Sequence, residues 1–123
     1  MSIAAVALGG ALGCVLRYAA SGWVQAQTGG PFPFGTLAVN VAGSFVIGAA
    51  LGLGSWRFNI SPEWRVFLTS GLCGGLTTFS TFSYETLVLI EDRQWLPAAA
   101  NLGLNVALCL GATLGGLFLA RAV

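Results

Sequence analysis

Apolar residues run through this chain in four long blocks, 2–25, 36–53, 64–90 and 95–120, with polar or helix-breaking residues gathered between them. A helix that crosses a bilayer takes about 20 predominantly apolar residues, so the pattern predicts four transmembrane helices joined by short connections. "QTGGPFPFG" stops the first, because Gly and Pro both oppose helix continuation. "SWRFNISPEW" separates the second from the third, with Ser61 placed as an N-cap and Pro62 at the first helical position. "EDRQ" makes the last turn. All four tryptophans, Trp23, Trp56, Trp64 and Trp95, fall at block ends, where an amphipathic ring prefers the headgroup level. The expectation is an all-α membrane protein forming a single transmembrane domain over 1–123, with no soluble domain besides.

Composition sharpens this. Apolar residues make up 56% of the chain and charged residues only 7%, against roughly a quarter charged in soluble domains. So little charge does not cover a water-facing surface. No Lys or Arg precedes the first block and no small-residue cleavage pattern follows it, so 2–25 is expected to remain as a span. In the predicted order Arg57, Arg65 and Arg121 lie on the side of the termini, Arg93 on the other, and Arg17 within the first span near its far end. The bias favours termini inside but is weak under the positive-inside rule, so insertion both ways, and with it an antiparallel homodimer, is permitted. Gly9 and Gly13, then Ser44, Gly48 and Gly52, then Gly111 and Gly115 recur at four-residue spacing. Small residues so spaced let helix backbones approach closely, between subunits or within one bundle.

The third block is poor material for a plain span. In "GLCGGLTTFSTFSYE", Gly71 to Glu85, Gly74 and Gly75 followed by Thr-Thr predict a helix break. A break inside a membrane is tolerated where the freed backbone groups are buried in protein, line a cavity or bind an ion, and unwound carbonyls there coordinate cations such as Na⁺. Phe79 and Phe82 follow; their ring edges are positive and, turned edge-on, favour an anion without fixing it as a lysine would. On the fourth block Asn101, Asn105, Cys109 and Thr113 make a one-faced stripe roughly 18 Å long, and Asn40 with Ser44 a shorter one on the second. These groups offer hydrogen-bond donors without charge. Polar groups in a span face a partner or a water-filled cavity, so the stripes read either as interhelical bonding or as an ion path.

Other functions lack their chemistry. Three cysteines without a histidine do not make a zinc site. Cys73 or Ser80 as an enzymic nucleophile would have no histidine to activate it. A proton-coupled carrier needs a titratable group in the membrane, and no Asp or Glu precedes Glu63, leaving only Glu85. A pump would need a nucleotide-binding motif, and an assembly helper would not need the broken span. Passive anion conduction remains. Arg17 either guides anions in a vestibule or snorkels to the interface; Glu85 sits near the break or at a pore mouth.

"GGLTTFSTFSYE", with "LGCVLRY" in the first block and "GTLAVNVAGSF" in the second, resembles the CrcB/Fluc family of bacterial fluoride channels over essentially the whole chain. The resemblance implies an antiparallel, dual-topology homodimer of four-helix subunits in the bacterial inner membrane, exporting fluoride passively through two pores and conferring fluoride resistance. It places Asn40, Phe79 and Phe82 on the pore, with Ser80 and Thr81 beside the rings and Asn105, Cys109 and Thr113 on the fourth span. It puts Arg17 in the vestibule and a structural Na⁺ at the dimer interface, on the backbone carbonyls of Gly74 and Thr77. The implied partners are fluoride, a second copy of the chain and the lipid bilayer, not nucleic acid. The family's fourth-span track usually bears hydroxyls, whereas here Asn101, Asn105 and Cys109 precede Thr113. A narrow, uncharged, donor-lined path suits a small, strongly hydrated anion, but chloride would be argued in similar words; fluoride comes from the resemblance.

Overall fold

The computed structural model describes residues 2–56 and 60–122; Arg57 lies outside them, as does the side chain of Trp56. Among the described residues all regular structure is helical. Three helices are long and apolar enough to cross a membrane: α1 (Ser2–Thr28), α2 (Phe34–Trp56) and α6 (Trp95–Ala122). The third apolar block forms no single helix. It runs as α3 (Pro62–Val66), a π-helical segment (Phe67–Cys73), α4 (Gly74–Leu76), two extended residues and α5 (Phe79–Glu91).

Local chemistry sets the ends. After α1 the chain turns through Gly29 (φ 63°) and Gly30 (φ 76°), a left-handed conformation that glycine adopts without a Cβ penalty. Gln25 ties this turn to its helix: its amide nitrogen donates to the carbonyls of Gly30 (3.2 Å) and Phe32 (3.1 Å), and its oxygen accepts from the Gly35 amide (3.1 Å). Ser61 caps α3 by accepting from the Trp64 amide at 3.4 Å, with Pro62 opening the helix as its sequence position predicts. Between α5 and α6 the amides of Gln94 and Arg93 close on the carbonyls of Leu89 (2.8 Å) and Ile90 (2.9 Å). That is a Schellman ending, with Arg93 at φ 59° where glycine is usual.

α2 is the central helix. It pairs along most of its length with α6, while α1 packs on the π-helical segment and on α2, and α5 leans on α6. Backbone-to-backbone contact explains the glycines. A Cβ on Gly9 would overlap the Phe67 carbonyl oxygen, one on Gly13 that of Leu72, and one on Gly48 that of Thr113. Gly52 lies against Ala120 and Leu117. The small residues of the first two blocks are therefore spent within the chain. On α6 it is Gly116 that meets the Phe45 carbonyl, whereas Gly111 and Gly115 face open space.

In the apolar window of α2, 39% is buried inside the chain, against 11% in α1 and in α6, so the two outer helices keep apolar faces for lipid or another subunit. Trp23, Trp64 and Trp95 leave exposed rings at helix ends, as headgroup-level anchoring requires.

The break falls in the expected Gly-Gly-Leu-Thr-Thr stretch, but on its threonines and not on its glycines. Gly74 is helical (φ −62°, ψ −37°) and Gly75 lies within α4; the backbone turns extended at Thr77 (φ −87°, ψ 158°) and Thr78 (φ −151°, ψ 114°). Gly75 serves instead to admit α1: a Cβ there would come within 2.6 Å of the Gly10 carbonyl oxygen and 3.0 Å of the Cys14 amide nitrogen. The helix opens at Thr77 and Thr78, where a side chain on α2 can replace lost bonds.

Candidate functional site

That side chain is Asn40. Its Oδ1 accepts from the Thr78 amide at 2.7 Å and its Nδ2 donates to the Thr78 carbonyl at 3.3 Å, so one buried carboxamide satisfies both backbone groups of the extended residue. Thr78 in turn caps α5. Its Oγ1 accepts from the Thr81 amide (3.2 Å) and donates to the Thr81 hydroxyl (3.0 Å), with the Ser80 hydroxyl 3.3 Å away. The end of α4 frees its last carbonyls from helical donors, those of Gly74 and Thr77 among them. The Thr78 N–H that would have met Gly74 is turned to Asn40. The Thr81 N–H that would have met Thr77 is taken by the cap, and the Thr77 carbonyl accepts from Arg17 Nη1 at 3.3 Å.

Beside the break a cavity of about 420 Å³ opens between α2, the third run and α6. Asn40, Phe79, Phe82, Asn105 and Cys109 line it, together with Gly74 and Thr77. The ring centroids of Phe79 and Phe82 stand 5.4 Å apart at an interplanar angle of 50°. Phe82 is buried at 7% exposure while Phe79 is 80% exposed, so one ring is a wall of this chain and the other is offered outward. A second cavity of about 250 Å³ holds Arg17, Ser21, Thr36 and Thr81. Thr78 lines both, standing between them.

Of the residues expected at the site, seven thus meet at the larger cavity and Arg17 joins Thr81 at the smaller. Ser80 is exposed and beside the Thr78 hydroxyl. Thr113 lines neither cavity; its hydroxyl donates to the carbonyls of Ser44 (3.1 Å) and Cys109 (3.0 Å), joining α6 to α2. The asparagines of the polar stripe are likewise bonded within the protein. Asn40 Nδ2 donates to Asn105 Oδ1 (3.0 Å), and Asn105 Nδ2 donates to the Asn101 carbonyl (3.0 Å) and to Asn101 Oδ1 (2.9 Å). Asn101 Nδ2 donates to Thr86 Oγ1 (2.9 Å), and Thr86 to the Phe82 carbonyl (2.7 Å).

Thr78 and Thr86 escaped the sequence reading. Thr78 could have been found as an N-cap hydroxyl before a helical apolar run. Thr86 could not, because its role depends on how α5 docks on α6. Glu85 lies near the smaller cavity's wall: Oε1 accepts from the Thr36 hydroxyl at 2.8 Å, and Oε2 is buried without a partner. Among the described residues no group of three or more acidic, cysteine or histidine side chains gathers to hold a metal. The site offers hydroxyls, carboxamides, aromatic rings and backbone carbonyls, which is chemistry for holding ions weakly.

The family described as CrcB-like protein, Camphor Resistance (CrcB), matches residues 4–117. A protein of Geobacter metallireducens is 50% identical over 121 residues, covering 98% of each chain. One of Geobacter sulfurreducens is 49% identical over 120 residues, 98% of this chain and 97% of its own. One of Shewanella oneidensis is 52% identical over 105 residues, 85% and 84%. All three relatives bear the name fluoride-specific ion channel FluC.

Proposed function

This chain belongs to the CrcB family, and we propose that it is a passive fluoride-selective channel of the bacterial cell membrane, not an enzyme, working as an antiparallel homodimer of four-span subunits with two pores. The likeness to the Geobacter metallireducens fluoride channel over nearly the full length of both chains carries the choice of ion. The break and its cavity supply a mechanism.

An anion entering from the side of Arg17 meets a guanidinium and the hydroxyl of Thr81, the Thr36 hydroxyl being given to Glu85. It passes Thr78 to reach the larger cavity, where Phe82 and Phe79 offer positive ring edges. The Asn40 donors are already given to Thr78 and Asn105, so an ion receives them only by outcompeting two neutral oxygens. A compact anion is the stronger acceptor, since hydrogen bonds to charged groups are roughly twice as strong as neutral ones. Among the described residues no cationic side chain lines the larger cavity, which leaves the ion free to depart.

A structural Na⁺ is part of this proposal. The break releases the carbonyls of Gly74 and Thr77 from helical bonding, and neutral oxygen donors of this kind fit a small monovalent cation. Gly74 and Thr77 would hold it, two subunits supplying four oxygens, and its charge would offset the opposed carbonyl dipoles. Thr77 shares its oxygen with Arg17, which makes one hydrogen bond to it.

The test is efflux from liposomes reconstituted with the purified protein, fluoride and chloride compared side by side. Fast fluoride release with little chloride release is expected. Chloride flux equal to fluoride flux would remove the assignment.

A further inference from the structure

We propose that Asn101 is a positioning residue for the ring pair, the centre of a hydrogen-bonded relay that fixes α5 on both sides of Phe79 and Phe82. The proposal rests on the channel reading of the cavity. Asn101 has no exposed surface and lies outside both cavities, so it touches no ion; whatever it does, it does through its neighbours.

Those neighbours form one line of donors. Asn40 gives a hydrogen to Asn105, Asn105 gives both of its own to Asn101, Asn101 gives one to Thr86, and Thr86 gives its own to the Phe82 carbonyl. Every bond points the same way, so each polarises the next. The line starts at the residue that holds Thr78, the cap of α5, reaches the same helix at Thr86, four residues beyond Phe82, and closes on the Phe82 carbonyl. Phe79 and Phe82 therefore lie between two pins, Thr78 held by Asn40 and Thr86 held by Asn101, and Asn105 joins the pins through α6.

Residues four apart share a helix face, so Thr86 and Phe82 turn together. Holding Thr86 fixes the rotation of α5 about its axis and with it the direction of the Phe82 ring into the cavity. An ion path that relies on a ring edge rather than a charge is sensitive to that rotation, since the ring's face is negative where its edge is positive. At the central position the carboxamide accepts from Asn105 and donates to Thr86 at once.

The test is the series Thr86→Val, Thr86→Ser and Asn101→Leu in purified, reconstituted dimers. The rate of fluoride release per active liposome is read separately from the fraction of liposomes that are active, and thermal stability is followed in detergent. Wild type comes first: if it shows no preference for fluoride over chloride, the channel reading fails and the relay is not yet at issue. With that preference present, Thr86→Val is expected to slow release per active liposome by about tenfold, the effect of one buried hydrogen bond on a barrier. Thr86→Ser, which keeps the hydroxyl, should restore the rate to within about twofold. Should Thr86→Val fail to assemble, the measurement passes to Asn101→Leu, and to the ¹⁹F resonance of 4-fluorophenylalanine at position 82 in Thr86→Ser and wild type. A slowed Asn101→Leu channel with a matching ¹⁹F shift in the two Thr86 forms supports the relay. Wild-type release per active liposome in Thr86→Val or Asn101→Leu, with only thermal stability reduced, would overturn it.

Discussion

At the scale of single residues, the site works with weak charges held in fixed directions. Phe82 is the clearest instance: its ring is buried, it lines the cavity, and its neighbour Phe79 is set 5.4 Å away at 50°. Isoleucine at position 82 keeps the apolar bulk and discards the positive edge. Phe82→Ile should therefore reduce fluoride efflux at least tenfold, by order of magnitude, while gel filtration still reports a dimer; wild-type efflux from that variant would make the ring mere packing. Asn40 carries a different load. Replacing it with leucine leaves the Thr78 amide without its acceptor and Asn105 Oδ1 without its donor, and each buried unpaired group costs about 1–3 kcal/mol. Asn40→Leu should lower thermal stability as well as flux, and a variant of native stability would mean that the break finds other partners. Two classes of site residue follow. On the proposed function one would meet the ion and be changed with the fold intact; the other closes the backbone and is changed at a cost in stability.

At the scale of elements, the glycines of the third run show what a sequence tells and what it withholds. The four apolar blocks, their connections, the Ser61–Pro62 helix start and the presence of a break were legible because each rests on local properties: hydropathy, proline and glycine conformations, and hydroxyl caps. Which residues of the Gly-Gly-Leu-Thr-Thr stretch open was not. Gly74–Gly75 reads as the weakest point of the helix, yet Gly75 is committed to the approach of Gly10 and Cys14 on α1, and the helix opens where Asn40 reaches Thr78. The polar stripe on α6 was likewise visible as a stripe, but not as a set of donors already spent, since Asn105 and Asn101 bond each other one turn apart while their outer partners come from α2 and α5. Both differences arise from tertiary contact, which helix propensity does not encode. The packing makes a sharp contrast testable. A Cβ at Gly75 would stand 2.6 Å from the Gly10 carbonyl oxygen, and at Gly111 it would meet nothing within 4 Å. Gly75→Ala should destabilise the subunit by about 1–3 kcal/mol, the usual cost of overpacking. Gly111→Ala should change the stability of the single chain by no more than about 0.5 kcal/mol, as a surface substitution does. Equal melting temperatures for the two variants in detergent would contradict this account of α1 against the third run.

At the scale of the whole molecule, one chain leaves several things unfinished. α1 and α6 keep apolar outer faces, Phe79 presents a ring outward at 80% exposure, and the carbonyls released at the break belong to a wall lined by a single chain. A second copy related by a two-fold axis in the membrane plane would place like surfaces against like, since a two-fold interface uses the same patch on both subunits. Such an axis demands that copies insert in opposite orientations, and the weak arginine bias in the sequence does not forbid it. Gln94, in the turn between α5 and α6, is a suitable reporter. With Cys14, Cys73 and Cys109 replaced by serine and Gln94 by cysteine, an impermeant thiol reagent applied to intact cells should label about half of the chains, the rest becoming accessible only after the membrane is opened. Labelling of all chains from one side would exclude the antiparallel dimer. The same axis would bring two copies of Gly74 and Thr77 together, and a cation bound between subunits stabilises their association by mass action. Prolonged dialysis of the purified protein against Na⁺-free buffer, with a large organic cation keeping ionic strength constant, should shift the population from dimer to monomer. Returning Na⁺ should reverse the shift with a saturating dependence on its concentration. A dimer indifferent to Na⁺ over days, long enough for a buried ion to exchange, would leave the carbonyls at the break to Arg17 and to backbone packing alone, and the cation would drop out of the mechanism.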